Sequence, residues 1–120
     1  MTEASSDLHS IENLKGVGPK SASSLNNLGI FTIPDAVEGD ENQIRQVFKN
    51  IDALCKEAGL SLDHIVKLNV SLHDLSLFQL VNEVMKEIFV EPYPARAALQ
   101  VARLPMDSSI EVEAIVAKTI

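Results

Sequence analysis

The feature that most constrains this sequence is a hydrophobic period that changes twice between residues 40 and 89. Apolar residues first recur at helical spacing, as Ile44, Val47, Phe48, Ile51, Leu54, Cys55 and Ala58. Asp40 and Gln43 form an expected capping pair for this helix, and Gly59 is its expected stop. Residues 66–73 then alternate between apolar and polar side chains, which predicts a strand. Helical spacing returns at Leu77, Phe78, Val81, Val84, Met85, Ile88 and Phe89.

Two further alternating segments complete this part of the chain. Residues 96–102 and 110–117 are joined by a short linker that contains Pro105, and the pattern predicts an antiparallel hairpin. The order α-β-α-β-β predicts the α+β class, with helices on one face of a mixed sheet of three strands. A unit of about 80 residues buries a modest core, so we expect oligomerisation to supplement it.

The first 38 residues have a different character, with short apolar spacings and many Ser, Asn and Gly residues. Ser10 is a suitable cap for a brief helix that Gly16 ends, and Pro19 suits the start of a second helix that Gly29 ends. Residues 32–35 have the form of a capping box that opens a third. We therefore divide the chain into a helical segment, residues 1–38, and an α+β region, residues 39–120.

Composition excludes several classes of function. Ten Lys and Arg against 17 Asp and Glu give a net charge of −7, which opposes a broad phosphate-binding surface. Cys55 is the only cysteine, and His9, His64 and His73 have no ligand-like spacing, so we expect neither a disulfide framework nor a metal site. No apolar run approaches the roughly 20 residues of a membrane span, and the chain begins without a leader pattern. We expect a cytoplasmic protein.

Residues 39–118 resemble the RidA/YjgF family of reactive-intermediate deaminases. The most specific part is the series PAR, VARLP and EVEAI, which begins at Pro94, Val101 and Glu111. The resemblance implies a chorismate-mutase-like α+β fold and a homotrimer with clefts between subunits. It also implies a hydrolase that converts 2-imino or enamine acids to 2-keto acids and ammonia without a metal or cofactor. Some members are named endoribonucleases, but the sequence singles out no base for that reaction.

The resemblance also implies roles for three residues. Arg96 matches the arginine that binds the substrate carboxylate, for which a guanidinium fork is well suited. Glu111 matches the carboxylate that positions the hydrolytic water, and Asn82 matches an asparagine of the cleft. Ala98 stands where cysteine is frequent, which is tolerable because an imine attacked by water needs no thiol. The structural alternatives are an inter-subunit ion pair for Arg96, an acidic surface for Glu111 and an inter-helix hydrogen bond for Asn82.

The N-terminal segment departs from the family. Members carry a G-P-Y-S turn and a V-S-G-Q segment, whereas this chain has Lys20 in place of the tyrosine and no Ser-Gly-Gln. Residues 10–37 instead resemble a helix-hairpin-helix motif, in which Gly16, Val17, Gly18 and Lys20 would bind a phosphate of a nucleic acid. Residues 1–40 hold six acidic residues against two lysines, so we expect nucleic-acid binding to be weak at best.

Two hypotheses of function follow. In the first, the chain is an imine deaminase in which Arg96 and Glu111 are catalytic and Arg96 and Asn82 bind substrate, although the N-terminal half of the family's site is missing. In the second, the chain is a non-catalytic hybrid scaffold, of natural or engineered origin, whose helical segment packs on the sheet or binds a protein or nucleic-acid partner. In both we expect a homo-oligomer, which is a trimer by resemblance or else a dimer.

Overall fold

The computed structural model describes residues 29–33 and 38–118. These residues form two helices, α1 (Asp40–Glu57) and α2 (Phe78–Ile88), and four strands, β1 (Gly29–Thr32), β2 (Ile65–Leu72), β3 (Ala95–Gln100) and β4 (Ile110–Val116). Short 3-10 turns at Leu62–His64, Leu75–Leu77 and Pro105–Asp107 join them. The predicted α+β class, with its helix-strand-helix core, is confirmed. No helix in this part of the chain is long and apolar enough to span a membrane.

The sheet order is β1-β4-β2-β3, and the sheet is mixed. β3 pairs parallel with β2, and β4 pairs antiparallel with the other edge of β2. The predicted hairpin of residues 96–102 and 110–117 is therefore wrong. The helix α2 supplies the crossover that parallel pairing of β2 and β3 requires. The linker then passes the end of β2, where Val101 N donates to Leu72 O at 2.9 Å and His73 N donates to Ser109 O at 3.0 Å.

The fourth strand, β1, lies where the sequence predicted only the turn between two short helices. It pairs antiparallel with β4, from Gly29 opposite Ile115 to Thr32 opposite Val112. Thr32 is fully buried, and its Oγ1 donates to Val47 O at 3.4 Å. The rest of the helix-hairpin-helix-like segment, including Gly16, Val17, Gly18 and Lys20, lies outside the described residues. The predicted domain boundary at residue 38 stays a prediction.

Both helices cover one face of the sheet and build the core there. Their buried side chains meet the alternate strand residues Leu68, Val70, Leu72, Ile110, Val112, Ala114 and Val116. Phe48 of α1 packs edge to face on Phe89, with ring centroids 6.1 Å apart. Cys55 is buried in this core, as expected, and burial raises the pKa of its thiol to about 11. Gly59 follows α1 with φ +77°, a conformation that suits glycine at a helix end.

The predicted capping pair of α1 has another role. Gly39 precedes the helix, and no side chain caps it. Asp40 Oδ1 instead accepts a hydrogen bond from Ser109 Oγ at 2.5 Å, and Gln43 Oε1 accepts from Ser109 N at 2.8 Å. Ser109 is 4% exposed, so the two contacts satisfy polar groups that are buried as the linker passes α1. Asp40 and Gln43 thus fasten the linker to the first turn of the helix.

We call the other surface of the sheet the open face, because no described helix covers it. Strand alternation places there Lys67, Asn69 and Ser71 of β2 and Glu111, Glu113 and Ile115 of β4. Their register neighbours are Asn69 with Glu113 and Ser71 with Glu111. The open face is polar at its centre and carries Ile115 at 41% exposure.

Candidate active site

Arg96 projects from the edge strand β3 toward α2. It stands beside Leu68 in the parallel register, and Leu68 is fully buried under the helices. Its Nη1 donates to Asn82 Oδ1 at 2.5 Å and to Met85 Sδ at 3.3 Å. The guanidinium carbon lies 4.7 Å from the centroid of the Phe78 ring, a cation–π distance. The structure thus brings Arg96 and Asn82 together, and three side chains of α2 fix the guanidinium.

Two of the three guanidinium nitrogens of Arg96 remain available to a ligand. Both hydrogen bonds to described residues leave from Nη1, so Nη2 and Nε have no acceptor in the described part of the chain. Two parallel N–H donors on one edge of a guanidinium match the spacing of two carboxylate oxygens. The pose is therefore suited to bidentate binding of a carboxylate.

A cleft of about 350 Å³ opens beside this guanidinium, between the outer side of α2 and the turn that leads into β3. Its lining consists of Gln79, Asn82, Met85, Lys86, Tyr93, Pro94 and Arg96. The two charged groups among these, Lys86 and Arg96, are both cations. The volume lies at the lower end of the range typical of small-molecule sites. The cleft fits a small anionic ligand.

Glu111 lies elsewhere. It is half-buried on the open face, between the fully buried Ile110 and Val112. Partial burial and, secondarily, the negative charge of Glu113 raise the pKa of its carboxyl group. Glu113 is itself held by Asn69, whose Nδ2 donates to its Oε1 at 3.0 Å. Within the chain, Arg96 and Glu111 lie on opposite faces of the sheet, so the structure does not bring them together.

Sequence reasoning missed four residues of the cleft lining, Gln79, Met85, Lys86 and Tyr93, and it also missed Phe78, whose ring lies under the Arg96 guanidinium. Helical spacing could have found Lys86, because it lies four residues after Asn82 and hence on the same side of α2. Phe78 was interpreted as core only. Tyr93 carries no periodic signal, because it stands in the turn between α2 and β3. Among residues 29–33 and 38–118, no three His, Cys, Asp or Glu side chains are grouped as metal ligands.

Comparison with known proteins relates this chain to one family. The sequence profile of the Endoribonuclease L-PSP family matches residues 34–118. A RutC family protein of Pyrococcus horikoshii is 47% identical over 85 residues, which are 70% of this chain and 68% of that protein. The human 2-iminobutanoate/2-iminopropanoate deaminase is 43% identical over 77 residues, 64% of this chain and 56% of that protein.

Solved structures show the same relationship. RidA from the Antarctic bacterium Psychrobacter sp. PAMC 21119 superposes with a TM-score of 0.69 at 44% identity, over 74% of this chain and 80% of that one. Escherichia coli TdcF, solved with bound serine, superposes with a TM-score of 0.69 at 36% identity, over 76% and 81% of the two chains. The family profile match, over residues 34–118, includes both helices and the strands that hold Arg96 and Glu111.

Proposed function

This chain belongs to the RidA/YjgF (endoribonuclease L-PSP) family, and on that premise we propose that it hydrolyses 2-imino acids to 2-keto acids and ammonia. The observation that carries the proposal is the Arg96 guanidinium at the cleft, which is held through Nη1 while Nη2 and Nε have no acceptor among the described residues. The name of the human relative supplies the reaction, and the serine bound to TdcF indicates an amino-acid-like ligand in the family.

Arg96 binds the α-carboxylate of the substrate in this proposal. Asn82 Oδ1 and Met85 Sδ hold the guanidinium in one rotamer before the substrate arrives, so less conformational entropy is lost on binding. Asn82 thereby acts as a positioning residue. Its amide Nδ2, which has no acceptor among the described residues, is available to donate to the substrate.

The chemistry needs water and a proton acceptor, and no cofactor. A water molecule adds to the carbon of the iminium group, the C–N bond of the resulting carbinolamine breaks, and ammonium leaves with the 2-keto acid. Glu111 orients this water. A carboxyl group whose pKa is raised is a stronger base than an ordinary glutamate at neutral pH, which suits it to the role.

The position of Glu111 requires a second protomer. Because Arg96 and Glu111 occupy opposite faces of one sheet, the carboxylate at an Arg96 cleft comes from the open face of a neighbouring copy. The active species is then a homo-oligomer, a trimer by family resemblance or else a dimer.

The same separation favours a second candidate function. The cleft beside Arg96 has no carboxylate side chain in its described lining. If assembly does not bring Glu111 of a neighbour to that cleft, the chain is a non-catalytic hybrid scaffold that binds 2-keto or amino acids. Partner binding by Gly16, Val17, Gly18 and Lys20 would belong to this candidate, and salt-dependent binding to a nucleic acid would test it.

The test is imine hydrolysis coupled to an amino-acid oxidase, with the oligomer mass recorded on the same samples. Arg96→Lys keeps the charge and removes the fork, so we expect kcat/KM to fall about 10- to 150-fold, as for loss of charge-assisted hydrogen bonds. Arg103→Lys is the matched control, because Arg103 is an exposed arginine that pairs with Asp107 away from the cleft. A folded, oligomeric wild type without activity would contradict the deaminase and support the scaffold.

A further inference from the structure

The cleft beside Arg96 contains a second cation that the proposed reaction does not use. Lys86 lines it together with Arg96, and the other polar groups of the lining, Gln79, Asn82 and Tyr93, are uncharged. The chain as a whole carries a charge of −7. A cleft whose charged lining residues are all cations is therefore not what the overall composition would predict. A ligand with a single carboxylate leaves one of the two positive charges uncompensated.

Lys86 is free to meet a ligand. Arg45, Lys56 and Arg103 each form an ion pair with a neighbouring carboxylate. Lys86 has no such partner in the described part of the chain, although Glu83 and Glu87 lie on the same helix. Its flexible four-carbon stem carries three donors, so the ammonium group can follow a carboxylate that lies at variable distance from the Arg96 fork.

We propose that Lys86 is a specificity-determining residue that gives this cleft a preference for dicarboxylic 2-imino acids over those with an apolar side chain. The inference rests on the proposed function and names its substrate class. Arg96 holds the α-carboxylate, because Asn82 and Met85 prevent it from turning to the far end of the ligand. Lys86 then pairs with the second carboxylate, and a cleft of about 350 Å³ accommodates a five-carbon diacid.

The first arm of the test measures binding of the product analogues 2-oxoglutarate and 2-oxobutanoate to the full chain by calorimetry. We expect wild type to bind 2-oxoglutarate more tightly. Lys86→Met should weaken 2-oxoglutarate binding about 3- to 5-fold, the size of an exposed charge pair, and leave 2-oxobutanoate unchanged. Lys49→Met is the matched control: Lys49 is exposed on α1, has no carboxylate partner among the described residues and does not line this cleft. An equal effect of both variants, or none, would overturn the inference.

The second arm separates this inference from the proposed function. Imines are generated from glutamate and from 2-aminobutyrate by oxidases, and kcat and KM are measured for both. Lys86→Met should raise KM for 2-iminoglutarate with little change in kcat, since the contact is equal in ground and transition states. If Lys86→Met changes neither kcat nor KM for 2-iminoglutarate, the inference about Lys86 is overturned and the proposed deaminase function is not. No hydrolysis of either imine, with the binding preference retained, overturns the deaminase and leaves the dicarboxylate cleft standing.

Discussion

The two faces of the sheet differ in how far other parts of the chain cover them. On the face under the helices, Leu68, Val112 and their neighbours are fully buried, and the guanidinium of Arg96 is fixed by α2. On the open face, Ile115 stays 41% exposed, and Glu111 is half-buried with a raised pKa. The described residues of one chain therefore cover the first face with helices and leave the second face without a helix. Each face holds one of the two residues that the proposed reaction needs.

Subunit complementation tests most directly whether Arg96 and Glu111 of neighbouring subunits form one active site. Arg96→Ala and Glu111→Gln should each abolish activity alone. Coexpressed, they should recover about a quarter of wild-type activity, because in a cyclic assembly one site in four combines an intact Arg96 with an intact Glu111 from its neighbour. The readout is imine hydrolysis by purified mixed oligomers.

A control for this experiment uses two residues of the same cleft. Arg96→Ala coexpressed with Asn82→Ala should give no activity above that of the Asn82→Ala parent, because both side chains belong to the same chain. Failure of the Arg96 and Glu111 pair to complement, with both parents folded, would show that the two residues do not share a site across protomers.

The next largest effect we expect is a difference in the free energy of unfolding between substitutions on the two faces. Leu68→Ala removes a fully buried side chain from the core and should lower the free energy of unfolding by about 2 to 5 kcal/mol. Ile115→Ala, on the open face, should cost less than about 1 kcal/mol in dilute protein. Urea denaturation measures both. A loss at Ile115 as large as at Leu68 would mean that the open face is buried in the species measured, and a dependence on protein concentration would identify assembly as the cause.

The smallest expected effect is an opposite pH dependence of two carboxyl groups. The pKa of Glu111 is raised by desolvation and by Glu113, so its contribution to stability is present below about pH 4.5 and is lost as pH rises through the folded value. The pKa of Glu87 is lowered by its hydrogen bonds with Arg45, so its contribution is present above about pH 4.5 and is lost as pH falls.

Replacement by glutamine should therefore act with opposite signs at pH 7. Glu111→Gln should raise the denaturation midpoint there, and Glu87→Gln should lower it, with both differences shrinking at pH 3. Midpoints in urea across this range are the measurement. A decrease for Glu111→Gln at pH 7 would contradict the desolvated environment assigned to it.

The helices and the strand β2 could be predicted because their signals are local. The spacing of Ile44, Val47 and Ile51 already specifies the buried side of α1, and Gly59 marks its end. The partner strand of β3 could not be predicted in this way, because the alternation in residues 96–102 is the same whether the strand pairs with β4 or with β2. The linker obscures the register further, since Met106 and Asp107 adopt positive φ angles of 60° and 51° and interrupt the alternation.

Some residues of the candidate site could likewise be identified from the sequence, and others only from the structure. Arg96, Asn82 and Glu111 were identified as candidates from the sequence, through motif resemblance, and the structure adds that the first two are in contact. The opposite faces of Arg96 and Glu111 could not be predicted, because the face of Arg96 depends on the pairing of β3 with β2. Lys86 and Tyr93 enter the cleft only once β3 lies beside β2 and brings the preceding turn against α2.

The sequence by itself determined the helices, most of the strands and the family, and it singled out Arg96 as the arginine proposed to bind the carboxylate. All of these depend on residues close together in sequence or on short motifs. The helices and strands are visible in the sequence because their backbones repeat about every 3.6 and every 2 residues. Tertiary structure alone decided the strand order, the addition of β1, the opposite faces of Arg96 and Glu111 and the second cation of the cleft. These depend on contacts between residues far apart in sequence, and the crossover through α2, rather than any local pattern, determines which strands meet.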